Sequence, residues 1–419
     1  MIDPNATIVI VGASLAGLQA AQTLRRAKFE GPVVMIGAEQ HFPYDRPPLS
    51  KQYLAGGWDE DKLRLRAAVD PAEWGLDWRL GRAATGLDLG ERTVRFGDGE
   101  EIGFGGLVLA CGARARTLPG SRLGGVHVLR TLDDARALRA DLEAGPERVC
   151  VIGAGFIGAE VAATARGRGL EVTMIEAAAS PLLRVLDVAA GNAIAELHRG
   201  HGVDVRLGVG VAGLRGVAEL RGVAELCNGD AGAESDRVAA VVLADGAVVE
   251  ADVVVVGIGV VPNTEWLTGS GLEIDNGVVC DDTCLAAPGV VACGDVARWS
   301  NRRYGRLTRV EQWDNAVDQG AYVAHRLLAG DNGYEPFAPV PWFWSDQYDR
   351  KMQLAGVPTP NAEVVAGSFE EQRFVQLYVD DDGAFVGALA WNRPRQAIQA
   401  RQMLEQGASI DDARSALGG

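Results

Sequence analysis

The chain has little of what most often announces a chemistry. Its 419 residues include five histidines and six cysteines, and no cysteine precedes Cys111. The closest two of Cys111, Cys150, Cys227, Cys280, Cys284 and Cys293 are spaced C-x3-C, with no histidine nearby. A metal site is therefore not expected, and free buried thiols in a reducing cytoplasm are. No cluster-type four-cysteine spacing occurs, so the chain is not expected to hold an iron–sulfur centre itself. No apolar run approaches about 18 residues, which argues against a membrane span. The strand-like run Thr7–Val11 leads straight into a glycine turn and leaves no room for a signal peptide. Forty basic residues face 56 acidic ones, a formal net charge of -16, which argues against nucleic acid or an anionic membrane as the main partner.

What is abundant is glycine, at 54 residues, in an ordinary globular background of 47% hydrophobic and 23% charged residues. Strand-like and helix-like runs alternate, as in an α/β sheet protein. One architecture occurs twice. Thr7–Val11 leads through Gly12-Ala-Ser-Leu-Ala-Gly17 into a helical Leu18–Ala27, and Arg148–Ile152 leads through Gly153-Ala-Gly-Phe-Ile-Gly158 into a helical Ala159–Arg168. Two such copies imply two Rossmann-like nucleotide-binding domains. The expected division is 1–116 with 248–328, then 117–247, then a C-terminal α+β domain over 329–419 that opens on Pro336, Pro339, Pro341 and the Trp342-Phe-Trp344 cluster. The stretch from Gly57 to Arg92 reads as irregular, and Val253–Gly257 reads as a return to the first domain. An identical tandem hexapeptide, Arg215–Leu220 and Arg221–Leu226, reads as a small duplication at a domain edge.

In the second fingerprint, Gly153 permits the tight turn, Gly155 lets the backbone approach a pyrophosphate, and Gly158 lets helix and strand pack closely. The pyrophosphate would sit on the helix N-terminus. Eighteen residues after Gly158, the strand Glu171–Ile175 ends at Glu176, followed by three alanines. A carboxylate there accepts both hydrogen bonds of a ribose diol and repels a 2′-phosphate, which favours NAD over NADP; Arg184 is the only nearby cation. The first fingerprint carries Ser14 at the middle glycine, and its first downstream carboxylate is Glu39. It gains weight from Ala292-Cys-Gly-Asp295, whose carboxylate can be aimed at a ribityl hydroxyl. Trp313 then opens a helical run to Leu328, whose N-terminus could stabilise an anionic reduced ring.

The segment Phe42-Pro-Tyr-Asp-Arg-Pro-Pro-Leu-Ser-Lys51 resembles the oxygenase-coupled NADH:ferredoxin reductases of the putidaredoxin reductase kind. The resemblance continues through Ala110–Arg114, Leu129–Asp134, Gly257–Asn263, Glu311-Gln-Trp313 and Trp342-Phe-Trp-Ser-Asp-Gln-Tyr348. It implies a glutathione-reductase-like fold with FAD, NAD and C-terminal domains, and flavin contacts at Lys51, Arg130, Asp295 and Trp313. Ala38 departs from the acid usual in that family, with Glu39 as substitute. The cofactor-binding candidates are Gly12, Ser14, Ala16, Gly17, Glu39, Arg46, Lys51, Ala84, Arg130, Asp295, Trp313, Gly153, Gly155, Phe156, Ile157, Gly158, Glu176, Arg184 and Gly259.

Flavin disulfide reductases carry a C-x4-C pair after the first fingerprint; here Pro47-Pro48-Leu49 and Lys51 occupy that region. Electrons are thus expected to leave the flavin directly. NADH would supply the hydride, with Lys51 and Glu160 as the catalytic pair at the flavin's N5 edge and no role required of the histidines. The expected acceptor is an iron–sulfur ferredoxin serving a haem or Rieske oxygenase, docked transiently on a monomer or weak dimer. Docking would use Arg302, Arg303, Arg306, Arg309, Arg350 and Lys351. A reductase for rubredoxin or another acceptor, and an NADH-sensing flavoprotein like apoptosis-inducing factor, remain the alternative readings.

Overall fold

Short apolar runs ended by glycine become strands buried on both faces, as parallel sheets require. In the computed structural model, which describes residues 2–65, 73–183, 185–220, 236–330 and 333–418, these strands build two separate parallel sheets. The described helices of eight residues or more are α1 (Leu15–Arg26), α2 (Leu132–Glu143), α3 (Phe156–Gly167), α4 (Val188–Gly200), α5 (Trp313–Ala329), α6 (Pro394–Glu405) and α7 (Ile410–Leu417). None is long and apolar enough to cross a membrane. The chain divides into two units, one of residues 1–45, 61–114 and 261–341, the other of residues 46–60, 115–260 and 342–419.

In the first unit, Ile8–Val11 lies between Val33–Gly37 and Gly106–Leu109, parallel to both, with Val9 opposite Val34 and Leu107. Val290–Ala292 extends the sheet beside Gly106–Leu109. Helix α1 packs along α5 closely enough that a Cβ at Gly320 would overlap the Ala16 carbonyl. The stretch expected to be irregular is more ordered than its sequence announces. Asp77–Leu80 adds a parallel edge strand beside Val33–Gly37, and Ala84–Asp88, Thr93–Phe96 and Glu101–Gly103 form an antiparallel sheet. An edge strand as polar as Asp-Trp-Arg-Leu carries almost no apolar pattern, because only part of it is covered.

In the second unit the parallel sheet runs Asp204–Leu207, Glu171–Glu176, Arg148–Ile152, Val253–Val256, Val126–His127. Val253–Val256 therefore does not return to the first domain, as the sequence reading expects; it pairs with Val149–Ile152. Four valines buried on both faces suit either parallel sheet equally, so composition cannot choose between them. An antiparallel sheet of Val211–Gly216, Val238–Leu243 and Val248–Glu250 packs on the same core. The second hexapeptide copy, 221–226, lies outside the described residues. The C-terminal part is a five-stranded antiparallel sheet in the order Trp342–Gln347, Arg350–Gly356, Phe385–Trp391, Arg373–Val379, Asn361–Ser368, with α6 and α7.

Candidate functional site

The first glycine turn in each unit adopts a conformation only glycine holds without strain. Gly12 has φ +126° and Gly153 φ +100°, and a Cβ would overlap the Ala110 carbonyl at the first and the Gly257 carbonyl at the second. Gly17 and Gly158 close each turn, since a Cβ there would overlap the Gly12 or Gly153 carbonyl. The helices that follow, like α5 and α6, begin without a side-chain cap. Side chains cap α2 (Thr131), α4 (Asp187) and α7 (Ser409), whereas Ser14 and Gly155 give α1 and α3 no side-chain cap hydrogen bond. The first N–H groups of α1 and α3 thus keep the donor character that a pyrophosphate oxygen needs. Helix α5, opening at Trp313, likewise has no side-chain cap. These turns fit the dinucleotides expected from the sequence.

The first unit holds several of the expected residues. Gly294, at φ +70°, brings the Asp295 turn against Ala16, where a Cβ at Gly294 would sit 3.1 Å from the Ala16 Cβ. The Gly294 N–H donates to Gln319 Oε1 of α5 at 2.9 Å. The Trp313 indole donates to Asp45 Oδ1 at 2.8 Å. Glu39, half-buried, accepts from the Tyr44 hydroxyl at 2.5 Å. Ala84 begins its antiparallel strand just after Gly81 and Arg82, whose N–H groups bond the Glu39 and Gly37 carbonyls at 2.9 and 2.8 Å.

In the second unit, Glu176 turns back on the glycine loop. Its carboxylate accepts from the N–H groups of Ala154 at 2.8 Å and Ala178 at 2.9 Å. Ile157 is 41% exposed on the first turn of α3, while the Phe156 ring packs on Phe343 with centroids 4.5 Å apart. Gly259, at φ +96°, accepts from the Arg116 N–H at 2.9 Å. Arg46 donates to the Arg130 carbonyl at 2.5 Å. Arg184 lies outside the described residues.

The two catalytic candidates meet. Pro47 and Pro48 fix the φ angles of a single 3₁₀ turn, Pro47–Ser50, which delivers Ser50 and Lys51 to α3. There Glu160, 4% exposed, accepts from Lys51 Nζ at 2.7 Å and Ser50 Oγ at 2.5 Å on one carboxylate oxygen. Ser345 Oγ donates to the other at 2.7 Å. One helical turn on, Thr164 holds the Ser50 carbonyl at 2.8 Å. A buried carboxylate is tolerable only when its charge is answered in this way. Lys51 and Glu160 stand out in the sequence but Ser50 and Ser345 do not, their only signal being their place inside the two distinctive motifs.

Residues 6–320 match the family described as pyridine nucleotide-disulphide oxidoreductase. The chain belongs to that family. Residues 342–416 match a second family model, described as reductase C-terminal. The anthranilate 1,2-dioxygenase system ferredoxin–NAD(+) reductase component of Burkholderia cepacia is 39% identical over 407 residues, 96% of this chain and 95% of that protein. Rhodocoxin reductase of Rhodococcus erythropolis is 38% identical, with 95% and 89% covered. Among solved structures, the covalent putidaredoxin reductase–putidaredoxin complex superposes with a TM-score of 0.89 at 32% identity, over 100% of this chain and 96% of that one.

Among the described residues the thiols are ill suited to redox relay. Cys111, Cys150, Cys280, Cys284 and Cys293 are all free. Burial pushes Cys111 up to about 11 and Cys150 up to about 12, and raises the other three well above the ordinary thiol value. The attacking thiolate is thereby suppressed. The expected basic surface is also altered. Arg302 pairs with Asp282, Arg309 with Glu311, Arg350 with Asp349 and Lys351 with Asp346, so these four charges are offset locally.

Proposed function

We propose that the chain is an FAD-dependent reductase that oxidises NADH and passes single electrons to an iron–sulfur ferredoxin serving an oxygenase. The observation that carries this reading is the pair of glycine turns, each opening a helix without a side-chain cap, in a chain matched end to end by ferredoxin reductase components. FAD is assigned to the first unit and NADH to the second. Bound FAD would supply the capacity to accept a hydride and release electrons one at a time. Gly12, Ser14, Ala16, Gly17 and Asp295 would hold it, with Glu39 in place of the acid usual at position 38. Gly153, Gly155 and Gly158 would take the NADH pyrophosphate, and Glu176 its adenosine ribose. Lys51 and Glu160 form the charged pair that we assign to the redox step, with Glu160 keeping the ammonium fixed in place. The free thiols fit a reducing cytoplasm.

The test is anaerobic. Purified protein is titrated with FAD and then mixed with NADH or NADPH while the visible absorption of the flavin is followed. Stoichiometric FAD uptake and faster bleaching by NADH support the reading. A folded protein that takes up no FAD overturns it.

A further inference from the structure

The strand Trp342–Gln347 alternates, with Phe343, Ser345 and Gln347 on its buried face. Phe156 and Glu160, one helical turn apart on α3, meet the first two of these: Phe156 packs edge-to-face on Phe343 and Glu160 accepts from Ser345. Gln347 continues the line. Its Nε2 donates to Ser345 Oγ at 3.2 Å, and its Oε1 lies 3.0 Å from His198 Nε2 of α4. His198 Nδ1 in turn lies 3.0 Å from the Tyr348 hydroxyl. Ser345 and His198 are fully buried and Gln347 is 4% exposed.

The carboxylate fixes the direction of each link as far as the imidazole. An ionised Glu160 can only accept, so Ser345 must donate to it. Ser345 then has only lone pairs to offer Gln347, which must present its NH2 group. The Gln347 carbonyl therefore faces His198, whose Nε2 must carry the proton. Burial disfavours the charged ring and pushes it down to about 4, so His198 is the neutral Nε2–H tautomer, whose bare Nδ1 takes the Tyr348 O–H. Tyr348 sits at φ +55° in the tight turn after the strand, an unfavourable conformation for a bulky residue. Its ring is held by a stack on His201, with centroids 3.7 Å apart and planes 9° from parallel.

A fully satisfied polar row inside a core specifies geometry more than it adds stability. We propose that Ser345, Gln347 and His198 are positioning residues that orient Glu160, and through it Lys51, so that the C-terminal sheet completes the charged pair. This rests on the assignment of Lys51 and Glu160 to the redox step.

The experiment compares the FAD-loaded wild type with Ser345→Ala, Ser345→Thr and Lys51→Met. One readout is single-turnover flavin reduction by NADH over a concentration series. The other is the imidazole ¹⁵N spectrum of His198. We expect Ser345→Ala to lower the limiting rate about tenfold, roughly the effect of losing one hydrogen bond to a charged group. NADH affinity should change by less than about twofold, a split that a loss of binding alone would not give. Ser345→Thr, which keeps the hydroxyl, should restore the rate. In wild type His198 should appear as the single Nε2–H tautomer. In Ser345→Ala, where Gln347 is free to turn over, the tautomers should mix. If Lys51→Met slows reduction but Ser345→Ala changes neither rate nor spectrum, the positioning proposal is wrong and the assignment of the pair stands. If Ser345→Thr fails to restore the rate, the hydroxyl is not the agent and the proposal is likewise overturned. If Lys51→Met leaves reduction unchanged, the assignment itself falls and takes the proposal with it.

Discussion

Replacing Lys51 by methionine removes one ammonium and leaves the Glu160 carboxylate where it was. That carboxylate is 4% exposed and the lysine 13%. Removing one partner of a buried pair costs about 3–5 kcal/mol, because the remaining charge stays desolvated. Here the hydroxyls of Ser50 and Ser345 still donate to it, at 2.5 and 2.7 Å, which places the expectation near the low end, about 3 kcal/mol. Glu160→Gln is milder. The amide oxygen still accepts, and the more exposed lysine can reach water along its flexible stem, so about 1–2 kcal/mol is expected. The double variant carries no buried charge and should cost about 2 kcal/mol, less than the sum of the singles, giving a coupling of about 2–3 kcal/mol. The assay is urea unfolding of the FAD-loaded proteins at neutral pH, repeated at high salt. Screening hardly reaches a buried pair, so the coupling should persist there. Additivity within about 0.5 kcal/mol would refute the reasoning and show that Lys51 and Glu160 do not sense one another.

Three further outcomes follow from the same geometry. Glu176→Ala should reduce the preference for NADH over NADPH, read as kcat/KM for each, by about 1–2 kcal/mol, the scale of hydrogen bonds to an ionised group; an unchanged ratio would remove Glu176 from the ribose site. His198 has a folded value of about 4 against an ordinary 6.5, so between those values the unfolded chain binds the extra proton and stability is lost as pH falls. By pH 5 the loss should reach about 2 kcal/mol, and His198→Gln should abolish that part of the slope; equal slopes in the two proteins would contradict the burial. Changing all six cysteines to Ala or Ser should leave NADH-driven reduction of a one-electron dye intact in any folded, FAD-loaded variant, whereas lost activity would restore a thiol to the mechanism.

The glycine turns were legible because no other residue fits them: positions 12 and 153 need positive φ, and positions 17 and 158 leave no room for a Cβ. Lys51 and Glu160 were legible through the motifs around them. What escaped depended on contacts between segments far apart in the chain. Val253–Val256 chose its sheet by pairing with Val149–Ile152, a choice its four identical side chains do not encode. Asp77–Leu80 is an edge strand whose polar sequence hides its place in a parallel sheet. Ser345 and Gln347 alternate as a strand should, but a polar residue on a buried face does not name its partner. Glu160 lies 185 residues away from Ser345, and His198 lies 149 from Gln347. His198 itself sits among the buried residues of α4, where its neighbours are alanine, isoleucine and leucine. Arg302 was visible as a charge, but Asp282, which pairs with it from 20 residues away, was not visible as a neighbour.

The proposed route carries electrons from NADH through this protein to a ferredoxin without a thiol carrier. It is tested most directly by double mixing. FAD-loaded protein is first reduced anaerobically with one equivalent of NADH, then mixed with a bacterial [2Fe–2S] ferredoxin while both chromophores are followed. Rapid ferredoxin reduction is expected, with two ferredoxins reduced per NADH, as the two electrons of a hydride require, and the same course in the cysteine-free variant. Reduced protein that leaves the ferredoxin oxidised, yet is promptly reoxidised by a small neutral acceptor, would contradict it.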